Sequence, residues 1–337
     1  MKTVLAGLKP AELEKILVPL PSYRAKQIFA WIQGGAKSFE EMSSLPLSLR
    51  RKLGEKFLVR GGVLANCLED SDGTKKLQLE LTDGAKIETV LLTDGNERRT
   101  ACLSTQAGCP AGCVFCKTGA LGFRRNLTAA EIVEQFLFLQ DYCGAISNLV
   151  IMGMGEPLYN LEELYRTLAL FKERGISPRR ITVSTSGVAE GIRNLADKGP
   201  PVRLALSLTA ALAEKRIALM PITKANPLPL LKEALLYHQE KRRQRITLET
   251  VLLGGINTGD ADAEALASFA RGLDAVVNLI PWNPVEGLKF QGRPLREPGT
   301  AECRAFADML EKKGLSITRR YRKGLGICGA CGQLGAV

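Results

Sequence analysis

Cys109, Cys113 and Cys116 fall within eight positions of a 337-residue chain, in the stretch QAGCPAGCVFCKTG. Thiols at such spacing read first as metal ligands. A structural zinc site takes four protein ligands, commonly two CxxC pairs, and no second pair lies nearby. The distant CGAC, with Cys328 and Cys331, could in principle supply a fourth thiolate from the other end of the sequence. Three cysteines on one loop suit an iron–sulfur cluster better. Three thiolates leave one iron open, and an open iron can chelate the amino and carboxylate groups of a small molecule and pass it an electron.

A loop of this kind needs a rigid support, and the flanking sequence supplies one. Short β-branched and apolar runs, RTACLST (99–105), NLVIMGMG (148–155), RITVSTSG (180–187), VRLALSL (202–208), ITLETVLL (246–253) and AVVNLIP (275–281), read as strands. Helical patterns such as TAAEIVEQFLFLQDY, LEELYRTLALFKER, LPLLKEALLYHQEKRR and TAECRAFADMLEKKG lie between and after them. That alternation predicts an α/β fold, a partial (β/α) barrel, over 94–337, whose active site lies on the loops leaving the C-terminal ends of the strands. The three cysteines follow the first strand, and GEP follows the second. Residues 1–60 show helical patterns without βα alternation and read as a small helical RNA-binding accessory domain. Residues 61–93 read as strands joined by DSDG and TDG turns, leading into the barrel. Glycines around Cys331 predict a flexible C-terminal tail.

Hydrophobic residues make up 45% and charged residues 24% of the chain, which excludes a disordered or fibrous protein. Charges break the apolar start at Lys9, Glu12, Glu14 and Lys15, so it reads as neither signal segment nor membrane span. The expectation is a cytoplasmic protein with reduced thiols and no membrane partner. A net charge of +11, clustered in KERGISPRR, EKRRQR and TRRYRKG, favours a polyanionic partner, nucleic acid above all.

CPAGCVFC, with an aromatic residue before the third cysteine, resembles the CxxxCxxC signature of radical S-adenosylmethionine enzymes. Nearly the whole chain resembles one family among them, the RlmN/Cfr adenosine methyltransferases of 23S ribosomal RNA. The resemblance rests on YRAKQIFAWI, SFEEMSSLP, SDGTKKLQLEL, IETVLL, TACLSTQAGC, GFRRNL, IMGMGEPLYN, ITVSTSG, VNLIPWNP and ACGQL, in that order. It implies a 4Fe-4S cluster on Cys109, Cys113 and Cys116 and S-adenosylmethionine as cofactor. Carbons 2 and 8 of adenine lie between electron-withdrawing nitrogens and cannot attack a sulfonium methyl group, so polar methyl transfer fails. In the resemblance, Cys331 carries the methyl group as a thioether until radical chemistry activates it. Cys102 resolves the protein–RNA adduct through a disulfide, and Glu88 accepts the ring proton. Gly155 and Glu156 match the loop that binds the cofactor's amino group, and Ser184, Ser207, Thr209 and Asn283 fall where the family contacts the rest of it.

The expected product is 2-methyladenosine in 23S ribosomal RNA, with transfer RNA as a second substrate. The resemblance also implies an electron donor such as flavodoxin or ferredoxin, and a monomer is expected. The alternatives are a carbon-8 methyltransferase of the Cfr kind and a non-catalytic RNA-binding protein with a structural metal. Three positions depart from the family pattern: SLT stands for SLH at Thr209, Gly326 replaces an aspartate, and Cys328 adds a CxxC with Cys331.

Overall fold

A computed structural model of the chain describes residues 2–93, 98–319 and 322–335. The start of the expected barrel at 94 and two residues of the last basic cluster, Arg320 and Tyr321, lie outside the described residues. The expected helical region holds α1 (Pro10–Ile16), α2 (Ser22–Gln33) and α3 (Leu47–Lys56). Thr3–Val4 and Phe57–Leu58 pair in parallel and close this region on itself.

The rest of the described residues build a ten-stranded sheet whose spatial order is its chain order, with two small two-stranded sheets beside it. β1 (Val63–Glu69), β2 (Lys75–Glu80) and β3 (Lys86–Thr93) are antiparallel, and β3 pairs antiparallel with β4 (Arg99–Cys102). Within this sheet every pairing from β4 onward is parallel, through β5 (Asn148–Ile151), β6 (Ile181–Thr185), β7 (Arg203–Ser207), β8 (Ile246–Leu252), β9 (Ala275–Pro281) and β10 (Ile317–Arg319). Parallel neighbours need crossovers, supplied by α4 (Ala129–Cys143), α5 (Leu161–Glu173), α6 (Ala189–Lys198), α7 (Leu228–Arg242), α8 (Asp260–Ala270) and α9 (Thr300–Lys312). The edge strands β1 and β10 do not pair, so the barrel is partial. The strands of 61–93 thus extend the barrel sheet directly.

Strand alternation sorts the side chains. Thr100, Cys102, Ser184, Ser207, Glu249 and Val251 face the cavities described below, while Ala101, Val183, Leu206 and Leu248 are fully buried on the other face. α4 begins with a reciprocal cap in which Glu131 N donates to Thr128 Oγ1 and Thr128 N donates to the Glu131 carboxylate. Glu134 of this buried helix accepts the N–H groups of Gly61 (2.8 Å) and Gly62 (2.7 Å), fixing the joint between the helical region and β1. Burial pushes its carboxyl up to about 7. A Cβ on Gly61 would lie 2.7 Å from Val4 Cγ2, so a larger residue there would force that side chain to shift.

Two basic clusters prove partly structural. Arg174 of KERGISPRR donates to the carbonyl of Gln33 (3.2 Å), and Arg242 of EKRRQR donates to those of Leu195 (3.1 Å) and Gly199 (2.5 Å). Burial pulls the Arg174 guanidinium down to about 10. These arginines join elements rather than offering charge to a polyanion.

Candidate active site

The cysteine loop is set by a glycine. Gly108 ends a short strand, Gln106–Gly108, paired with Phe123–Asn126. Its φ is +77°, and a Cβ would lie 1.9 Å from the carbonyl oxygen of Gly122, so no other residue fits without moving the backbone. Cys109 N then donates to that carbonyl (2.8 Å), Cys116 N donates to Cys113 O (3.2 Å), and Trp282 Nε1 ties the loop to β9 through Phe115 O (2.9 Å). Burial pushes the Cys109 thiol up to about 12. It pushes Cys113 well above its usual value, and the neighbouring Cys116 and Cys109 push it further. Among the described residues no three His, Cys, Asp or Glu side chains are arranged to hold a single metal ion. A cluster needs no such arrangement, because each thiolate binds a separate iron.

Two cavities meet behind this loop. The smaller, about 160 Å³, is lined by all three cysteines together with Gly155, Glu156, Ser184, Ser207, Thr209 and Asn283. The larger, about 480 Å³, is lined by Cys102 and by Arg98, Arg319, Arg322 and Lys323, the last three from the remaining basic cluster. Cys331, Cys116 and Asn283 belong to both walls. The tail that carries Cys331 is seated. Asn283 Nδ2 donates to Cys331 O (2.9 Å), Gln333 Nε2 to Pro284 O (2.9 Å), Lys117 N to Gly332 O (2.8 Å) and Thr118 Oγ1 to Leu334 O (2.5 Å).

The smaller cavity fits the cofactor that the cysteines imply. Glu156 is buried, and neutral groups hold its carboxylate: Leu158 N (3.1 Å), Ser186 N (2.6 Å) and Ser186 Oγ (2.6 Å). Burial pushes that carboxyl up, so a cationic amino group would be a favourable partner. The backbone turns beside it at Gly155, whose φ is +106° and whose Cβ would lie 2.6 Å from Gln106 Cβ. Thr209 Oγ1 and Asn283 Oδ1 are buried and without a hydrogen-bond partner. Orphaned polar atoms are costly unless a ligand completes them, and both residues line this cavity. Thr209 holds a left-handed φ of +56°, and Asn257 Nδ2 donates to its carbonyl (2.8 Å). The hydroxyl thus stands at the cavity wall without an imidazole's reach.

Glu88 is the exception among the expected site residues, for it lines neither cavity. By pattern a solvent-facing strand residue, it is in fact 4% exposed. It shares a strand face with Val90 and Leu92, which do line the larger cavity. Its carboxylate is taken by Lys76 Nζ (3.0 Å) and by the N–H of Gly335 in the tail (2.8 Å). Tail and hairpin cover it.

Arg216, on the short helix Ala213–Leu219, escapes any reading of AEKRIAL as a solvated amphipathic turn. It is fully buried, and burial pulls its guanidinium down to about 10. Its donors reach Leu208 O (3.1 Å), Ser186 O (2.7 Å), Ser207 O (3.3 Å) and Thr223 Oγ1 (2.5 Å), binding together the loops after β6 and β7. Arg216→Met keeps much of the bulk but strands these acceptors, and it should cost roughly 3 kcal/mol, read as a lower denaturant midpoint with an unchanged slope. Arg216→Lys, which retains one cation and fewer donors, should lose less.

The chain has known relatives. The radical SAM superfamily model matches residues 103–270, and the model of the ribosomal RNA large subunit methyltransferase N-terminal domain matches residues 4–59. The probable dual-specificity RNA methyltransferase RlmN of Treponema denticola is 50% identical, over 99% of this chain and 96% of its own. That of Thermus thermophilus is 42% identical, over 97% and 93%. A crystal structure of a radical SAM methyltransferase from Sphaerobacter thermophilus superposes with a TM-score of 0.93 at 38% identity, covering 98% of this chain and 99% of that one.

Proposed function

The chain belongs to the RlmN family of radical S-adenosylmethionine methyltransferases, and on that premise we propose that it methylates carbon 2 of an adenosine in 23S ribosomal RNA and in transfer RNA. The observation that carries the reading is Cys331, a thiol on the shared wall of a cavity suited to the cofactor and a larger, basic-rimmed cavity. A methyl carrier must reach both a donor and an acceptor, and this position serves both.

When bound, the 4Fe-4S cluster and S-adenosylmethionine supply the methyl group and the radical chemistry that an unreactive ring carbon requires. Cys109, Cys113 and Cys116 hold the cluster, and Gly155, Glu156, Ser184, Ser207, Thr209 and Asn283 hold the cofactor. Cys331 receives the methyl group on its sulfur, keeps it covalently bound and presents it to the base. Cys102, on the wall of the larger cavity, attacks the Cys331 sulfur as a thiolate, so that the S–S bond forms as the bond from that sulfur to the product carbon breaks, the electron pair leaving with the carbon, which takes up a proton. The proton acceptor of the family falls on Glu88, whose carboxylate Lys76 and Gly335 hold. Arg98, Arg319, Arg322 and Lys323 rim the larger cavity, where phosphates would compete with the carboxylates of Asp308 and Glu297 that Arg319 and Arg322 pair with, fixing the RNA without reading its sequence. An electron donor such as flavodoxin or ferredoxin serves the enzyme, which works as a monomer in the cytoplasm. Among the described residues no helix is long and apolar enough to cross a membrane.

Anaerobic turnover of the reconstituted protein on unmodified ribosomal and transfer RNA, with mass spectrometry of the nucleosides, tests the reading. 2-Methyladenosine is expected. A dominant 8-methyladenosine peak would move the protein to the carbon-8 branch, and no methylated adenosine from protein with an intact cluster would leave an RNA-binding protein.

A further inference from the structure

We propose that the β1–β2 hairpin is the docking site of the catalytic tail, with Asp70 and Asp72 gripping the tail's backbone and Lys76 coupling it to Glu88. The word catalytic rests on the methyl-carrier reading of Cys331; the docking rests on the contacts alone.

The hairpin turn presents two prepared carboxylates. Asp70 Oδ1 accepts Ser71 N (2.7 Å) and Asp72 Oδ1 accepts Thr74 N (2.8 Å), so the turn itself orients each side chain. The second oxygen of each faces the tail, where Asp72 Oδ2 accepts Gly324 N (2.9 Å) and Asp70 Oδ2 accepts Gly326 N (2.9 Å). Burial alone would push Asp72 up, yet donors from Thr74 and Gly324 and the nearby Lys323 hold it below its usual value. The approach is close enough to demand small residues. Gly324 has φ +72° with its missing Cβ 2.9 Å from Thr74 Cγ2, and a Cβ on Gly326 would lie 3.0 Å from Asp70 Oδ1. A carboxylate at position 326 would confront that of Asp70.

Further along β2, buried Lys76 donates to Cys328 O (3.3 Å) while it pairs with Glu88 (3.0 Å). Glu88 in turn accepts Gly335 N. The hairpin therefore holds the tail before Cys331, and Glu88 of β3, paired with Lys76, holds it after, so that Cys331 spans the two cavities while both flanking segments are seated. An otherwise unassigned sheet extension thereby becomes the device that places the methyl carrier.

Hydrogen exchange on the full-length, reconstituted protein tests this. In an Asp70→Ala/Asp72→Ala variant, amides of 322–335 should exchange about tenfold faster or more, reflecting two lost charge-assisted hydrogen bonds, with the sheet unchanged. Methylation of Cys331, read by intact-protein mass spectrometry, should slow with it. Asp70→Asn/Asp72→Asn, which keeps one acceptor oxygen at each position where the carboxylate used two, should recover only part of the protection, and Lys76→Met should loosen 327–331. Unchanged tail exchange in the alanine pair would overturn the proposal, as would acceleration spread evenly through the sheet. Tail-confined acceleration in a protein whose wild type methylates no RNA would uphold the docking and defeat the methyltransferase reading.

Discussion

Replacing Cys109, Cys113 or Cys116 by alanine should give a folded, colourless protein that retains no 4Fe-4S cluster and no turnover. Losing a small half-buried thiol costs the fold only about 1 kcal/mol, so thermal unfolding of the apo forms should barely change. The cluster suffers far more, because two thiolates from one loop cannot retain four irons against solvent and chelators. Burial pushes Cys109 up to about 12 and Cys113 well above its usual value, so the empty site holds neutral thiols, and capture of the cluster must expel their protons. Reconstitution of the wild type should accordingly improve as pH is raised from neutral. Iron analysis and visible absorbance decide the matter. Brown protein with normal iron from any of the three variants would sink the assignment of the loop.

The scaffold that places this loop was legible because its signals are local. Runs such as ITVST and ITLETVL carry β-branched residues with one face buried and the other toward the cavities, and the intervening segments carry a helical period. Parallel order then follows from the crossovers. Less legible was how far the sheet extends. β10 is three residues long, and nothing in ITR marks it apart from a loop; its pairing with β9 comes from tertiary position. The strands of 61–93 announced themselves through their turns, but their sharing of one sheet with the barrel depends on the β3–β4 register, which no local pattern encodes.

The candidate site divides along the same line. Cysteine spacing, GEP and the strand-end hydroxyls lie within a few residues of one another in motifs, and the fold gathers them around one cavity. What sequence could not reveal are contacts made by backbone and by distant partners. Glu88 reads as solvent-facing because alternation in KIETV says nothing of a tail 247 residues away that covers it. Arg216 looks like one more basic residue until the carbonyls after β6 and β7 need a donor. The glycines of the tail suggest mobility, yet their bare N–H groups and left-handed turns at Gly324 and Gly332 are what let the tail lie against Asp70, Asp72 and the cysteine loop.

Cys331→Ala should abolish RNA methylation before any covalent adduct forms, whereas Cys102→Ala should accumulate protein cross-linked to RNA. The difference follows from the roles proposed for the two thiols. Without Cys331 the methyl group has no carrier, and the cavity shared with the cofactor loses its acceptor. Without Cys102 the carrier still loads and still reaches the base, but nothing pairs with its sulfur to release the product, and turnover stops after one round. The CGAC tail offers a rival resolver in Cys328. Geometry favours Cys102, which is buried on the same wall as Cys331 in the larger cavity, while Cys328 is exposed and lines neither of the two cavities. Cys328 also holds a left-handed φ of +51° with its carbonyl bound by Lys76, so bringing its thiol inward requires undoing the seated tail. Thiol exchange proceeds only where one sulfur can approach another. Cys328→Ala should therefore turn over much as the wild type does. Denaturing gels with labelled RNA read all three variants: a cross-link that accumulates in Cys328→Ala and not in Cys102→Ala would transfer the resolving role to the tail itself.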